Sequence, residues 1–255
     1  MQPIFHSISP LTRAYDNRGA IKGNDWLIIS SGEGENMSKG DENKSLPSCV
    51  PERTLFTIGH SSMEADEYTR LLDTHSVELV VDVRSQPLSG RFPHFNSSVL
   101  EKILEEQGVG YLFLGEELGG RPADPAAYGR DGAVNYRACR KSYAFSQGIE
   151  RVEVELRTRS LALMCAEEDP IECHRFLMVC PELVAAGLRP LHIRRDGEIE
   201  TQEAAEDRLL RSTGFADVAA NTLFPGARTE AIEKALELQA KKFAFRVDPH
   251  LVERW

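Results

Sequence analysis

The chain is 255 residues long with a net charge of −10, enough for one α/β domain with a sizeable core. The acidic balance excludes a broad nucleic-acid-coating surface but leaves room for a local basic cleft. The five cysteines are odd in number and irregularly spaced, which argues against a disulfide framework and for a reducing cytoplasm.

The first 53 residues read differently from the rest. Ser30–Ser48 is polar and rich in Gly, Ser, Glu and Asn, so it cannot bury enough apolar surface to offset its ordering entropy. Residues 1–53 are therefore expected to be mostly disordered, with Trp26–Ile29 a short apolar exception and Met37 an alternative start. The N-terminus lacks the basic region and long apolar run of a signal peptide, and no apolar run is long enough to span a membrane. A domain is expected over 54–255.

Leu55–Ile58 predicts a first strand, closed by Gly59-His60-Ser61. Ser62 is placed to cap a helix over Met63–Thr74, in which Tyr68, Leu71 and Leu72 recur at helical spacing. Glu78–Val83 is a β-branched run of the kind covered on both faces, ending in Asp82 and Arg84. A loop holding Arg91 and His94 leads to a helix from Ser97 or Ser98 through Gln107. Gly110–Leu114 predicts strand three. Glu116–Asp131 is too broken by Gly and Pro for a long element, and Tyr136–Arg159 reads as mainly helical.

Leu161–Met164 predicts a buried strand running into Cys165, then an acidic turn, then Cys173-His174-Arg175 opening a helix to about Ala186. Leu188–Arg194 predicts a fifth strand, and Thr201–Ser212 and Thr229–Phe245 two more helices around a loop at Phe224-Pro225-Gly226. Strands alternating with helices imply a mainly parallel sheet of about five strands with flanking helices, a three-layer Rossmann-like α/β fold.

Ligands of such sheets bind outside the carboxyl ends of the strands, and the reactive side chains gather there. Cys165, Cys173 and His174 are soft ligands that zinc or iron accepts, although the usual Cys-x2–4-Cys pair of a structural zinc site is missing. His60 or Asp82 could complete such a set. Alternatively, Cys173 is a nucleophile whose thiol is activated by the helix start, His174 and Arg175. The bland alternative is a packed turn with small buried thiols. His60 and Asp82 are candidates for proton handling, with an Asp82–Arg84 ion pair as the structural alternative. Arg84, Arg91, Arg121 and Arg175 fall in loops at one rim, where guanidinium forks suit an anionic substrate.

These stretches together (TIGHS from Thr57, DVRSQPLSGRFPHFN from Asp82, YLFLGEELGGRP from Tyr111, LMCAEEDPIECHR from Leu163) resemble the domain of unknown function 488 family. The resemblance covers roughly 54–200, with a weaker echo to about 246. It implies a compact α/β domain of prokaryotic type and no settled activity. Its motif residues carry over to His60, Ser61, Asp82, Arg84, Ser85, Pro87, Arg91, Gly119, Gly120, Arg121, Cys165, Glu167, Asp169, Pro170, Cys173, His174 and Arg175. Gly90 departs from the pattern, where a second basic residue is common. The expected function is a cytoplasmic enzyme acting on a small anionic or nucleotide-like substrate, with catalytic His60, Asp82, Cys165, Cys173 and His174. The alternative is a non-catalytic module binding a nucleotide or nucleic-acid end.

Overall fold

A computed structural model of the chain describes residues 53–220 and 226–252. The expectations for residues 1–52, including Trp26–Ile29 and Met37, lie outside the described residues, as do Phe224 and Pro225.

Six strands form one mostly parallel sheet. β1 (Leu55–Gly59) leads through α1 (Ala65–Thr74) to β2 (Leu79–Asp82), and α2 (Ser97–Glu106) leads on to β3 (Gly110–Phe113). The short α3 (Gly115–Leu118) and α4 (Tyr136–Cys139) precede α5 (Tyr143–Leu156), which returns the chain to β4 (Leu161–Cys165). A π-helical turn, Arg175–Val179, runs into α6 (Cys180–Ala185), and β5 (Leu191–Ile193) follows. Beyond it come β6 (Ile199–Thr201), α7 (Gln202–Thr213), α8 (Ala216–Ala219) and α9 (Ala227–Phe243).

The strand order is β3-β2-β4-β1-β5-β6, with β6 the antiparallel edge. About five strands were expected; the sixth is a three-residue polar edge strand, too short and too exposed to carry a hydrophobic signature. In the register of the three central strands Gly59 stands opposite Cys165 and Asp82 opposite Met164, so their carboxyl ends are level.

Period-two alternation decides which helices cover which face. Phe56, Ile58, Val80, Ala162 and Met164 pack with Tyr68 and Leu72 of α1 and Leu100 and Leu104 of α2. Leu55, Leu79, Val81, Leu161 and Leu163 pack on the other side with Phe145 and Val152 of α5, Leu183 of α6, Leu209 of α7 and Ala235 of α9. The result is a helix–sheet–helix sandwich of three layers.

Several element ends differ from expectation, each for a local reason. The helix expected over Tyr136–Arg159 is two helices, because Ser142 Oγ accepts from Phe145 N and starts a new one. α1 begins after Glu64 rather than Ser62, with no side-chain cap bond. Ser62 instead accepts from Arg195 Nη1. The π-turn sits just before Pro181, whose ring and missing N–H exclude a regular helical bond there.

Candidate functional site

The carboxyl ends of β1, β2 and β4 are tied to one another past the strands. His60 N donates to Cys165 O at 2.9 Å and Ser61 N to Ala166 O at 2.8 Å. Ser61 takes a positive φ of 45° to make this turn, an uncommon conformation for a side chain with a Cβ. Gly59 is required by close approach: a Cβ there would lie 1.8 Å from Glu167 O. The turn after β4 is thus pressed against β1.

Arg175 holds that turn from beneath. It is 1 % exposed, and its guanidinium donates to Glu167 O at 2.6 Å and Glu168 O at 2.8 Å, with Nε 3.4 Å from Thr57 Oγ1. The rim arginine expected to meet substrate is therefore a buried strut. Asp169, another motif residue, pairs with Arg208 and Arg194 in a network away from the thiols.

Above the turn four ligand-bearing groups converge. The Cys165 and Cys173 sulfurs, one Glu167 carboxylate oxygen and a His174 ring nitrogen all lie within 4.8 Å of one another. Glu167 Oε2 is 2.9 Å from Cys165 Sγ and 3.2 Å from Cys173 Sγ. His174 Nδ1 is 3.5 Å from Cys165 Sγ and 3.9 Å from Cys173 Sγ. The far ring nitrogen of His174, Nε2, donates to Val83 O at 2.9 Å, which turns Nδ1 toward the sulfurs. Gly120 packs under the ring, where a Cβ would come within 2.9 Å of His174 Cγ.

The two sulfurs are not equivalent. Burial pushes the Cys165 thiol up, and neighbouring Cys173 and Glu167 push it further. Burial also opposes ionisation of Cys173, but the Cys165 hydrogen bond and the charges of Arg175 and His174 overcome it, so its pKa lies well below that of a free thiol. Burial lowers the pKa of His174, yet the Cys173 sulfur and Glu167 raise it overall. Cys139, by contrast, is pushed up to about 11 by burial, and Cys180 is pushed up by burial too; neither is part of the cluster.

A second polar group stands beside the first, on the α1/α2 side. Asp82 is fully buried and takes Arg84 in a forked pair, Nε to Oδ1 at 2.9 Å and Nη2 to Oδ2 at 2.6 Å. Tyr111 Oη donates to Asp82 Oδ2 at 2.8 Å. Arg84 also donates to Phe95 O at 2.8 Å and to His60 Nε2 at 3.2 Å. His60 is stacked on Phe95 with ring centroids 4.1 Å apart, and its Nδ1 donates to Ser61 O at 3.1 Å. Burial and the Arg84 charge lower its pKa to about 4. A neutral imidazole whose acceptor nitrogen faces a guanidinium is a poor proton acceptor. The geometry makes Asp82 and Arg84 its positioning groups.

Both groups border one open cavity of about 370 Å³. His60, Arg84, Arg121, Cys165 and His174 line it, together with Ser85, Gly120 and Glu167. Asp82, Arg91, Cys173 and Arg175 are not among its lining residues. Arg91 is exposed and lies 5.4 Å over Phe92. Arg121 is exposed, held by its backbone N to Ser85 Oγ at 2.8 Å and 4.5 Å over the Phe245 ring. Phe243 and Phe245, from the end of α9 and just beyond it, form a wall of the cavity that no upstream spacing announces.

Residues 64–179 match the model of a family described as Domain of unknown function DUF488. The resemblance to DUF488 is shown over that stretch. No curated protein and no solved structure matches the chain. The DUF488 match contains Asp82, Arg84, Arg121 and the whole Cys165–Arg175 turn, whereas His60 precedes it and Phe243 and Phe245 follow it. The cavity therefore joins groups of the DUF488 region to groups outside it.

Proposed function

We propose that the cavity is the active site of an enzyme acting on a small anionic, nucleotide-like substrate. The observation that carries this reading is the junction, in one cavity, of an exposed Arg121, whose side chain meets Gln86 and the Phe245 ring, with the Cys165–His174 edge of the thiol cluster. A binding pocket needs the arginine and the apolar wall. It has no use for two sulfurs, an imidazole and a carboxylate brought together beneath them. The volume suits a mononucleotide-sized ligand, the Phe243–Phe245 wall suits a flat ring, and Arg121 with Ser85 suits a phosphate or carboxylate. Arg84 acts by fixing His60 rather than by gripping the substrate, since its fork is already engaged by Asp82.

The test uses nucleoside monophosphates and inorganic phosphate as calorimetric probes, with turnover followed on the same compounds. Arg121→Ala is expected to weaken binding about tenfold, some 1.4 kcal/mol. Cys165→Ser with Cys173→Ser should retain binding and lose turnover. Binding without turnover in the unmodified protein would place it among non-catalytic binding modules, and turnover retained in the double variant would remove the thiols from the chemistry. Unchanged affinity in Arg121→Ala would remove the cavity from the account.

A further inference from the structure

The geometry points to a zinc ion held by Cys165, Glu167, Cys173 and His174 at the floor of the cavity, with Glu167 as the exchangeable ligand. This rests on the reading of the cavity as a catalytic site for the chemistry it assigns to the ion.

The distances carry it. Zinc bonds of about 2.3 Å to sulfur, 2.0–2.1 Å to nitrogen and 2.0–2.2 Å to oxygen, at tetrahedral angles, put neighbouring ligand atoms roughly 3.3–3.8 Å apart. The observed edges from the two sulfurs to the Glu167 oxygen and the His174 nitrogen run from 2.9 to 3.9 Å. Four of the six edges are thus close to zinc's size, and all four ligand atoms lie within 4.8 Å of one another. As thiols both sulfurs donate to Glu167 Oε2; once those protons leave, the same carboxylate, two thiolates and the imidazole face one another with no proton between them and form a ligand set. An activated nucleophile would be aimed at the cavity and kept from negative charge, but Cys173 does not line the cavity and Glu167 lies on both thiols.

The surroundings match what a metal ligand set requires. His174 is tied through Nε2 to Val83 O at 2.9 Å, the outer hydrogen bond that orients a ligating imidazole. Arg175 fixes the backbone of Glu167 itself through its bond to Glu167 O, and Gly59 presses the same carbonyl from the β1 side. With two thiolates and one carboxylate, a divalent ion would leave a charge of minus one beside the buried Arg175 cation. The ligand order, Cys-x-Glu-x5-Cys-His, lacks the two closely spaced cysteine pairs of a structural zinc ribbon.

Glu167 differs from the other three ligands. It is exposed and lines the cavity, whereas Cys165, Cys173 and His174 are buried. Its carboxylate can give way to an anionic oxygen of a substrate, which the ion would then polarise as a Lewis acid. The site is of the open, catalytic kind.

The experiment is a cobalt and zinc titration of the full-length chain, tag-free, stripped of metal and kept reduced. Expected are a thiolate-to-cobalt charge-transfer band and tetrahedral d–d bands that saturate at one ion per chain and vanish when zinc displaces cobalt. Cys173→Ser should lose most of the charge-transfer band. Because a buried variant can misfold, Glu167→Gln on the exposed turn is the second arm: it should keep the band and bind zinc about tenfold or more weakly. Absence of the band in the unmodified protein, or unchanged zinc affinity in Glu167→Gln, overturns the site, and iron rather than zinc found on the protein before it is stripped overturns the choice of ion. Zinc bound in a protein that binds and turns over no anionic probe leaves the ion and removes the catalytic reading. Arg121-dependent turnover without any metal does the reverse.

Discussion

Asp82 and Arg84 show how a buried pair builds a site without touching its ligand. Both are nearly inaccessible, and Asp82 receives the Arg84 fork, the Arg84 backbone N–H at 3.0 Å and the Tyr111 hydroxyl. Removing one partner of such a pair leaves an uncompensated buried charge, which costs about 3–5 kcal/mol. Arg84→Met should therefore lower unfolding stability by that order, read from urea midpoints at constant slope. It should also free His60 Nε2. A loss below about 1 kcal/mol would mean that Asp82 is rehydrated or protonated at little cost and that the pair is not a framework. The sequence expectation put Arg84 in a substrate-binding role. Spacing could not choose between that role and the Asp82–Arg84 ion pair offered beside it; the fold closes the fork on the carboxylate. The same limit hid Arg175. A charged side chain next to Cys-His reads as solvent-facing, because arginine is seldom fully buried. Only the tertiary fold supplies the Glu167 and Glu168 carbonyls that bury it.

At the scale of elements, the working part of the molecule is the contact between the β1 turn and the β4 turn. The Leu55–Ile58 and Leu161–Met164 runs were both legible as strands, and β1 and β4 are register neighbours. Their adjacency was not legible, since the order of parallel strands leaves no local trace. Glu167 illustrates the consequence. In the sequence it stood only in an acidic turn and among the motif residues, and His60 or Asp82 was expected to complete a ligand set. The turn conformation swings Glu167 onto both sulfurs, while His60 and Asp82 are held by Arg84. The close contact at Gly59 makes this element pairing testable. Gly59→Ala would drive a Cβ into Glu167 O, already 1.8 Å from the ideal position. Overpacking against backbone of this kind costs about 3 kcal/mol, and displacement of Glu167 should weaken zinc binding in the sense of Glu167→Gln. A variant of unchanged stability and zinc affinity would show that the two turns are not in register contact.

Over the whole molecule, one polar chain runs along the α6/α7 face of the sheet from the site to α7 and gives the fold a pH dependence. Arg175 Nε approaches Thr57 Oγ1 at 3.4 Å, and the Thr57 hydroxyl donates to His192 Nδ1 at 2.8 Å. His192 Nε2 donates to Gln202 Oε1 at 3.2 Å, and Gln202 Nε2 to Glu206 Oε1 at 3.0 Å. In this arrangement His192 is neutral, 1 % exposed and without room for a second proton. Burial and the charges of Arg175, Arg194 and Arg208 lower its pKa to about 3, against the weaker opposing pull of Gln202. The sign follows directly. Above about pH 6.5 His192 is neutral folded and unfolded, and contributes nothing; below it the unfolded chain takes up a proton that the native state refuses, so stability falls as pH falls toward the folded value. Between about pH 7.5 and about pH 5.5 the loss from this residue is roughly 1.4 kcal/mol. His60, lowered to about 4, adds a loss of the same sign, while the raised His174 works against it. His192→Asn isolates the contribution, since asparagine keeps a polar side chain between Thr57 and Gln202 but does not titrate. The variant should start less stable at the higher pH and lose about 1.4 kcal/mol less on going to the lower one. Parallel pH profiles for the two proteins would show that His192 accepts its proton in the folded state, and with it that the chain from Arg175 to Glu206 is wet rather than sealed.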